Sequence, residues 1–364
     1  MQGDESGASD PILSNYKIQE INYSIKELGV TNIHFQGFVR MRSSILKYVS
    51  LHLFARNLGT VPSRKSIPAL ESDLKMMLEE IHAQLDAGAK HAPELREMAK
   101  YYFDDNLVQR QRRVAVISEM IHTASLVHDD VLDHAEQRRG KPSINVKWDI
   151  RKSTICGDYI LSVASNMMSK IGNDDVVITL SQILTDLVNG EFQQLQNKNS
   201  ESERFQLYLN KTFNKTASLI AYSCRGNAIL AGANPELAEC CYEYGRNIGV
   251  AFQLVDDLLD FVSSSELLGK PAAADLKLGL ATAPVLFASS KFRELEPMID
   301  RRFSEPGDIE AAFDAVLKSD GLERTRELAT NHCGDAVKSI RDLKDSSFKL
   351  SLIDICDRVL NRIK

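Results

Sequence analysis

The sequence predicts an all-α protein, one large helical bundle behind a leader, and three observations support this prediction. Apolar residues recur at the three- and four-residue spacing of helices from about residue 70 onward. One such series is Ile117, Met120, Ile121, Ala124, Val127 and Val131. No proline interrupts the chain between Pro93 and Pro142 or between Pro142 and Pro235. Segments that alternate apolar and polar residues are absent, so we expect no strands.

The first 66 residues predict a leader rather than part of the bundle. Residues 41–66 carry Arg and Lys, contain no Asp or Glu, and can form an amphipathic helix. This composition is typical of a mitochondrial transit peptide, so we expect import into the mitochondrion, to the matrix or the inner membrane. The alternative is a basic leader without structure.

Residues 67–364 are expected to form the helical domain. Clusters of Gly, Pro, Ser or Asn predict where its helices end. The predicted loops are Gln137–Ser143, Gly172–Asp175, Asn197–Glu203, Gly232–Glu236, Ser263–Ala274 and Glu305–Asp308.

Composition excludes several classes of function. The net charge of −6 and the lack of a long Lys/Arg block predict no binding to nucleic acid. The six cysteines form no CxxC motif, so we expect reduced thiols that are mostly buried. No apolar run reaches the ~18 residues that a membrane span needs.

Two copies of the motif DDxxD stand inside apolar helical segments and predict a metal site. The aspartates are Asp129, Asp130 and Asp133 in the first copy and Asp256, Asp257 and Asp260 in the second. Residues four apart lie on one face of a helix, so the carboxylates of each motif crowd together and repel. Mg²⁺ would compensate, because it binds through one or two carboxylates and substrate phosphate oxygens. The alternative for one motif alone is a solvated acidic patch, and the second copy argues against it.

Cations follow the first motif and flank the second. Arg138 and Arg139 belong to the sequence RRGKP, Lys215 and Thr216 lie between the motifs, and Lys270 follows the second. Guanidinium groups bind phosphate through a rigid fork, whereas Lys acts as a point charge. RRGKP alone could be a basic surface turn; beside DDxxD it predicts the anion-binding side of a diphosphate site.

Together these motifs resemble the trans-isoprenyl diphosphate synthase family. The matching segments are DDxxD-x4-RRGxP, GDYILS, GEFQQL, KTASLI, FQLVDDLLD and GKPAAADLKLGLATAPVLFA. The likeness runs from roughly residue 70 to the end of the chain. Within the family it is greatest to the mitochondrial long-chain synthases of the ubiquinone side chain, the decaprenyl- and solanesyl-type catalytic subunits. The resemblance implies the isoprenoid synthase bundle, with its active site in a central cavity.

The resemblance also implies a role for each motif residue. The six aspartates would hold Mg²⁺ on the allylic diphosphate, and Arg138, Lys215, Thr216, Gln253 and Lys270 would contact the same diphosphate. Arg139 would contact isopentenyl diphosphate, and Phe252 would line the reacting centre. Gln194 stands where relatives often carry Asp, and Leu280 where shorter-chain relatives carry Lys.

The implied reaction needs no nucleophile from the protein. The allylic diphosphate, farnesyl or geranylgeranyl, ionises, the alkene of isopentenyl diphosphate attacks the cation, and proton loss restores a double bond. The released diphosphate can take that proton. His122 and His128 lie near the first motif, but we favour helix packing or diphosphate contact over a general-base role for either.

Small residues before the first motif predict a long product. In the family a bulky aromatic residue at this place closes the hydrophobic pocket, whereas this chain has Ala124 and Ser125. The alternative is that small residues here only permit close helix packing. The implied partners are the two substrates, a second synthase subunit in a homo- or hetero-oligomer, and the membrane surface for product release.

One family motif is missing. Relatives carry GKxxRP upstream of the first DDxxD, where it supplies Lys and Arg to isopentenyl diphosphate. Here Tyr101-Tyr102-Phe103-Asp104-Asp105 runs directly into Asn106-Leu107-Val108-Gln109-Arg110. This break leaves a second hypothesis open, a catalytically impaired splice form or a non-catalytic subunit of a synthase complex. A terpene cyclase is a weaker third, because it would lack RRGKP and a second DDxxD.

Overall fold

The computed structural model describes Ala83 and residues 112–138, 141–195, 201–267 and 273–363. The predicted leader, the place of the missing GKxxRP motif, Arg139 and Lys270 lie outside these ranges. We number the helices from the first described one. They are α1 Arg112–Leu132, α2 Ile144–Trp148, α3 Ile150–Ser169, α4 Asp174–Leu195, α5 Glu201–Thr212, α6 Ser218–Leu230, α7 Pro235–Leu267, α8 Ala274–Lys277, α9 Ala283–Ser289, α10 Leu295–Asp300, α11 Asp308–Lys318, α12 Gly321–Ser339 and α13 Ser347–Leu360. A π-helical turn, Phe213–Ala217, joins α5 to α6, and a 3₁₀ turn, Asn361–Ile363, follows α13.

The all-α prediction is confirmed, with corrections at the RRGKP segment and at several predicted loop ends, since α4, α5 and α7 begin inside the loops predicted before them. Strands β1, Gln137–Arg138, and β2, Lys141–Pro142, form a small antiparallel hairpin inside the RRGKP segment, where none was expected. The predicted loop Ser263–Ala274 is wrong at its start, because α7 continues to Leu267. The residues that break helices, Gly269 and Pro271, come only after that point.

Helix α7 runs through the middle of the bundle and packs against α6 on one side and α12 on the other. Two glycines allow its close approach to α6. A Cβ atom at Gly245 would lie 2.7 Å from Ala221 Cα, and one at Gly249 would lie 2.6 Å from Ala217 Cα. Helix α1 packs against α3. The second aspartate motif is therefore part of a helix that packs against two others in the described bundle.

Apolar side chains form one main core and one smaller core. The main core includes Ile117, Met120, Tyr244 and Phe252, all fully buried. The smaller core joins the end of α7 to α8–α11, and includes Phe261, Leu276, Leu295, Phe303 and Phe313. Burying one such side chain stabilises the fold by roughly 1.5–3 kcal/mol. The end of α7, which carries Asp260, is thus held by its own apolar cluster.

The six cysteines are free thiols, and five of them are buried. No helix in the described ranges is long and apolar enough to cross a membrane.

Candidate active site

The first aspartate motif stands at the carboxyl end of α1. Asp129 and Asp130 lie in the last turn, and the Asp133 amide donates to the Asp129 carbonyl at 2.8 Å. A helix carboxyl end carries partial negative charge, so acidic side chains there are unfavourable without nearby cations. The pKa of Asp133 is raised, first by lost hydration in the crowded site and then by the charge of Asp129. The carboxyl end of α1 therefore carries clustered negative charge, which attracts cations.

The β hairpin carries Arg138 onto the first motif. The Asp130 carboxylate is fully buried, and both Nε and Nη2 of Arg138 lie 2.7 Å from its Oδ1. A buried carboxylate that loses its cation costs ~3–5 kcal/mol, so this pair fixes the hairpin against α1. Arg138 was predicted to bind the allylic diphosphate, and the structure places it at the motif, paired with Asp130.

His128 points away from the aspartates, towards α3. Its Nε2 lies 3.4 Å from Asp158 Oδ1 and 3.3 Å from the Thr154 carbonyl oxygen. Gly157 leaves the space for the ring, because a Cβ atom there would lie 2.2 Å from Nε2. His122 is fully buried. Both positions fit the packing interpretation better than the general-base alternative.

The π-helical turn presents Lys215 and Thr216 to the site. Such single turns inside α-helices are frequent at functional sites. Lys215 Nζ lies 2.5 Å from Glu191 Oε1 and donates to Gln194 Oε1 at 3.1 Å. Burial raises the pKa of Glu191, and the charge of Lys215 opposes that rise. Lys215 therefore lies between α4 and the aspartates.

Hydrogen bonds connect Thr216 to the second motif. Thr216 Oγ1 donates to Gln253 Oε1 at 2.9 Å, and Gln253 Nε2 donates to Asp257 Oδ1 at 3.0 Å. The Tyr208 hydroxyl donates to Asp257 Oδ2 at 2.5 Å. Burial raises the pKa of Asp257, and these two donors oppose the rise. The Gln253–Asp257 hydrogen bond joins residues four apart, so these two side chains share one face of α7.

Asp256 meets a cation from the end of the chain. Arg362 Nη1 lies 2.8 Å from Asp256 Oδ1. The same guanidinium stands over the Phe252 ring, 4.6 Å from the ring centroid. Arg362 thus joins the predicted metal ligand to the residue predicted for the reacting centre.

Asp260 holds the amino end of α8. Its Oδ1 accepts from the Ala274 amide at 2.9 Å and its Oδ2 from the Asp275 amide at 3.1 Å. The pKa of Asp275 is raised well above its usual range, first by burial and then by the charges of Asp257 and Asp260. Lys211 opposes this rise, and burial in turn lowers the pKa of Lys211. A fourth carboxylate therefore joins the second motif, with a buried lysine beside it.

Sequence reasoning missed five residues of this site. They are Glu191, Tyr208, Lys211, Asp275 and Arg362. Two signals were available, because Glu191 belongs to GEFQQL and Lys211 stands one helical turn before Lys215. Tyr208, Asp275 and Arg362 meet the motif through contacts between distant segments, which no local pattern indicates.

The donors fit a metal ion that shares its ligands with a substrate. Among the described residues, no group of three His, Cys, Asp or Glu side chains could hold a metal ion unaided. Asp130, Asp256, Asp257 and Asp260 already have protein partners, whereas Asp129 and Asp133 repel each other. Mg²⁺ commonly takes one or two carboxylates and fills its shell with phosphate oxygens and water. Asp129 and Asp133, at the end of α1, would supply those one or two carboxylates.

A family model described as Polyprenyl synthetase matches residues 78–316. The chain belongs to the polyprenyl synthetase family. This membership confirms the resemblance inferred from the motifs, and it places the chain among the prenyltransferases.

Named relatives agree. The all trans-polyprenyl-diphosphate synthase of Mus musculus is 47% identical over 317 residues, 80% of this chain and 77% of the mouse protein. Decaprenyl-diphosphate synthase subunit 1 of Schizosaccharomyces pombe is 46% identical, with coverage of 73% and 74%. The probable mitochondrial hexaprenyl pyrophosphate synthase of Neurospora crassa is 46% identical over 72% of this chain and 60% of its own. The crystal structure of a decaprenyl diphosphate synthase from Rhodobacter capsulatus has a TM-score of 0.65 at 27% identity, with coverage of 91% and 98%.

Proposed function

We propose that this chain is a magnesium-dependent, long-chain trans-polyprenyl diphosphate synthase. The observation that supports this most is the electrostatic link between the two aspartate motifs. The positive charge of Lys215 opposes the rise in the pKa of Asp133 and Glu191. The positive charge of Lys211 does the same for Asp257 and Asp275. These two lysines stand one helical turn apart, and the charge of Lys215 helps to lower the pKa of Lys211. A polyanion between the motifs would therefore meet cations along the α5–α6 face and carboxylates on α1 and α7.

The side chains of the site have different roles in binding a diphosphate. Arg138 and Lys215 supply positive charge at the first motif, and Thr216 supplies a hydroxyl. Gln253 orients Thr216 and Asp257 through its amide. Asp129 and Asp133, with Asp130, Asp256, Asp257 and Asp260, would hold Mg²⁺ together with the oxygens of the diphosphate. When bound, Mg²⁺ supplies positive charge against the oxygens of the departing diphosphate.

The chemistry is head-to-tail condensation. The allylic carbon–oxygen bond breaks, and its electron pair leaves with the diphosphate. The alkene of isopentenyl diphosphate forms the new carbon–carbon bond, and loss of a proton to the released diphosphate restores a double bond. Phe252 lies beside the reacting centre, where Arg362 already stands over its ring. The growing chain passes the small side chains of Ala124 and Ser125 on α1, and the product serves as the ubiquinone side chain.

Assembly and location follow the same comparison. The name of the fission-yeast relative, subunit 1, supports a hetero-oligomer with a second synthase subunit. The Neurospora relative is named mitochondrial, and residues 41–66 have the composition of a transit peptide. We place the chain in the mitochondrion, on the matrix side and at the inner membrane, where an apolar product leaves the protein.

One observation favours a second function. The sequence at residues 101–110 lacks GKxxRP, which in relatives supplies cations for isopentenyl diphosphate. A chain without it could serve as a non-catalytic subunit that assembles a synthase complex.

The deciding experiment is incorporation of labelled isopentenyl diphosphate onto farnesyl diphosphate by the purified chain with Mg²⁺, with products sized by chromatography. We expect products longer than geranylgeranyl diphosphate. Asp256→Asn should abolish them, whereas the matched surface change Asp335→Asn should not, because Asp335 is an exposed residue of α12 that forms an ion pair with Lys338. If the folded wild-type chain forms no product, the proposal fails and the subunit function replaces it.

A further inference from the structure

Tyr208 is a buried phenol beside the second aspartate motif to which the proposed reaction gives no role. Its side chain on α5 is 5% exposed, and its hydroxyl donates to Asp257 Oδ2 on α7 at 2.5 Å. Burial and then the charge of Asp257 raise the pKa of Tyr208, so the phenol keeps its proton at neutral pH and can donate. Tyr208 therefore acts on a predicted metal ligand without being one itself.

The first turns of α5 hold this tyrosine in place. Arg204, one helical turn earlier, pairs with two carboxylates of α10, Glu296 and, at 2.7 Å, Asp300. The ring of Phe205 packs against the ring of Phe287 on α9, with centroids 4.8 Å apart. Ion pairs and ring contacts thus anchor the helix on the residues just before the tyrosine, and its hydroxyl is a fixed donor.

A chain of hydrogen bonds connects Asp257 to Thr216. Gln253 Nε2 donates to Asp257 Oδ1 at 3.0 Å, and Thr216 Oγ1 donates to Gln253 Oε1 at 2.9 Å. A carboxylate oxygen accepts, so the amide turns its NH₂ group to Asp257 and its oxygen to Thr216. The single proton of the Thr216 hydroxyl must then point at that amide oxygen. The orientation of this hydroxyl therefore depends on the carboxylate that Tyr208 holds.

Loss of the Tyr208 hydroxyl would disturb this chain of hydrogen bonds at its end. Asp257 is 1% exposed, so solvent has little access to replace a lost donor. A buried acceptor without a partner is costly, and the carboxylate would rotate to share the remaining donor, the Gln253 amide. Movement of that amide would change the position of the acceptor that Thr216 uses.

We propose that Tyr208 is a positioning residue for the allylic diphosphate, and that it acts through Asp257 and Gln253 on Thr216. This inference rests on the proposed function, in which Thr216 contacts that diphosphate. The alternative is that the phenol only stabilises the fold, by satisfying a buried carboxylate. That alternative predicts a change in stability and no change in the binding of the substrate that depends on Thr216.

The test is a double-mutant cycle on the binding of farnesyl thiolodiphosphate, an analogue whose sulfur bridge resists ionisation. Calorimetry with the full-length chain and Mg²⁺ measures its affinity. Tyr208→Phe should weaken binding about fivefold, as expected when one hydrogen-bonding group is misplaced. Thr216→Val removes the hydroxyl and keeps the shape of the side chain. In that background Tyr208→Phe should weaken binding less than twofold, because the group that it positions is gone.

Tyr244→Phe is the matched control. It removes a second buried phenol hydroxyl, which donates to the Leu352 carbonyl at 2.8 Å in the main core. Urea unfolding should show a loss of stability in both tyrosine variants, whereas only Tyr208→Phe should bind the analogue more weakly. Gln253→Met breaks the same chain of hydrogen bonds one link later, and is the second variant if Tyr208→Phe does not fold. Its effect should likewise shrink in the Thr216→Val background.

The outcomes separate this inference from the proposed function. If Tyr208→Phe binds the analogue like wild type, or if its effect and that of Thr216→Val simply add, the positioning role is overturned and the synthase function stands. A wild-type chain that does not bind the analogue also overturns the positioning role. A coupled cycle in a chain that makes no polyprenyl product keeps this inference and loses the proposed function.

Discussion

At the scale of single residues, the aspartates of the two motifs differ in what surrounds them. Asp130 has a guanidinium, Asp257 has a phenol and an amide, and Asp260 has two backbone amides. Asp133 has the charge of Asp129 nearby, which helps raise its pKa. The sequence predicted six equal ligands, whereas the fold gives four of them partners from the protein. Like charges therefore remain close together at the end of α1, as they do around Asp275 at the second motif.

Replacing Asp133 by Asn should stabilise the metal-free protein at neutral pH. A raised pKa in the folded state means that folding is favoured when Asp133 is protonated, and that stability is lost as the pH rises through the raised pKa. Asp133→Asn removes the repulsion with Asp129, worth about 0.2–0.5 kcal/mol for such an i,i+4 pair. Urea unfolding should show this gain at pH 7.5, and the gain should vanish as the pH falls below about 4. Prenyl transfer should fall in the same variant.

Asp335→Asn supplies a control of opposite sign. Lys338 lowers the pKa of Asp335, so ionised Asp335 adds stability above the unfolded pKa and loses it as the pH falls. This variant should gain no stability at pH 7.5. If the Asp133→Asn protein is no more stable than wild type at pH 7.5, repulsion between Asp129 and Asp133 does not destabilise the metal-free protein.

Replacing Ala124 by Phe should shorten the product. Ala124 is fully buried on α1, five residues before the first aspartate of the motif, and the Ser125 hydroxyl donates to the His122 carbonyl at 2.9 Å. A phenyl ring there would block the path of a growing apolar chain. Product sizing with Ala124→Ser as the control checks this. Thermal unfolding must accompany it, since overpacking costs about 1–3 kcal/mol. A folded Ala124→Phe enzyme with unchanged product length would favour the helix-packing alternative.

At the scale of elements, the π-helical turn between α5 and α6 matters most. It carries Lys215 and Thr216, and it packs against α4 at Gly190. A Cβ atom at Gly190 would lie 2.6 Å from Lys215 Cγ and 3.1 Å from the Lys215 amide nitrogen. The glycine therefore lets α4 bring Glu191 and Gln194 to the lysine.

Gly190→Ala should move Lys215 and weaken binding of the allylic substrate. The contact with backbone cannot be relieved by a rotamer change, so we expect a loss of about 1–3 kcal/mol in stability. We expect KM for farnesyl diphosphate to rise about tenfold, as for loss of one charge-assisted contact. Steady-state kinetics and urea unfolding measure both effects.

Gly334→Ala is the matched control for that change. Gly334 lies inside α12 with nothing within 4 Å of the added Cβ, so alanine should stabilise by roughly 0.5–1 kcal/mol and leave KM unchanged. Equal kinetics in the two variants would show that Gly190 does not position Lys215.

At the scale of the whole molecule, the features that the sequence predicted are those that depend on a local pattern of residues. Helical spacing located α1 and α7; the second aspartate motif lies within α7, whereas the first motif begins in the last turn of α1 and ends one residue past it. The pairing of Asp256 with Arg362 was not predictable, because it joins α7 to the last turn of the chain through the path of α12 and α13. The hairpin at RRGKP was missed because two-residue strands are too short to show alternation. What escaped prediction was set by tertiary packing rather than by propensity.

The missing GKxxRP segment gives the strongest prediction at this scale. Inserting a segment that carries GKxxRP between Asp105 and Asn106 should restore cations for isopentenyl diphosphate. Each charge-assisted contact is worth ~1.5–3 kcal/mol, or about one to two powers of ten in affinity. We therefore expect KM for isopentenyl diphosphate to fall at least tenfold, with KM for farnesyl diphosphate little changed, because Lys215 and Arg138 are untouched.

A second insert, with its Lys and Arg changed to Gln, distinguishes two effects of the missing segment: the loss of positive charge and the loss of buried apolar area. It restores the apolar area of the segment without its phosphate ligands, so it should raise the unfolding temperature but leave KM for isopentenyl diphosphate high. If the charged and neutral inserts activate equally, the segment acts by packing. If neither changes the kinetics of an already active chain, Arg362 or another cation of the folded protein already supplies the contact. The two inserts thus assign the effect of the break at residue 105 to electrostatics or to packing.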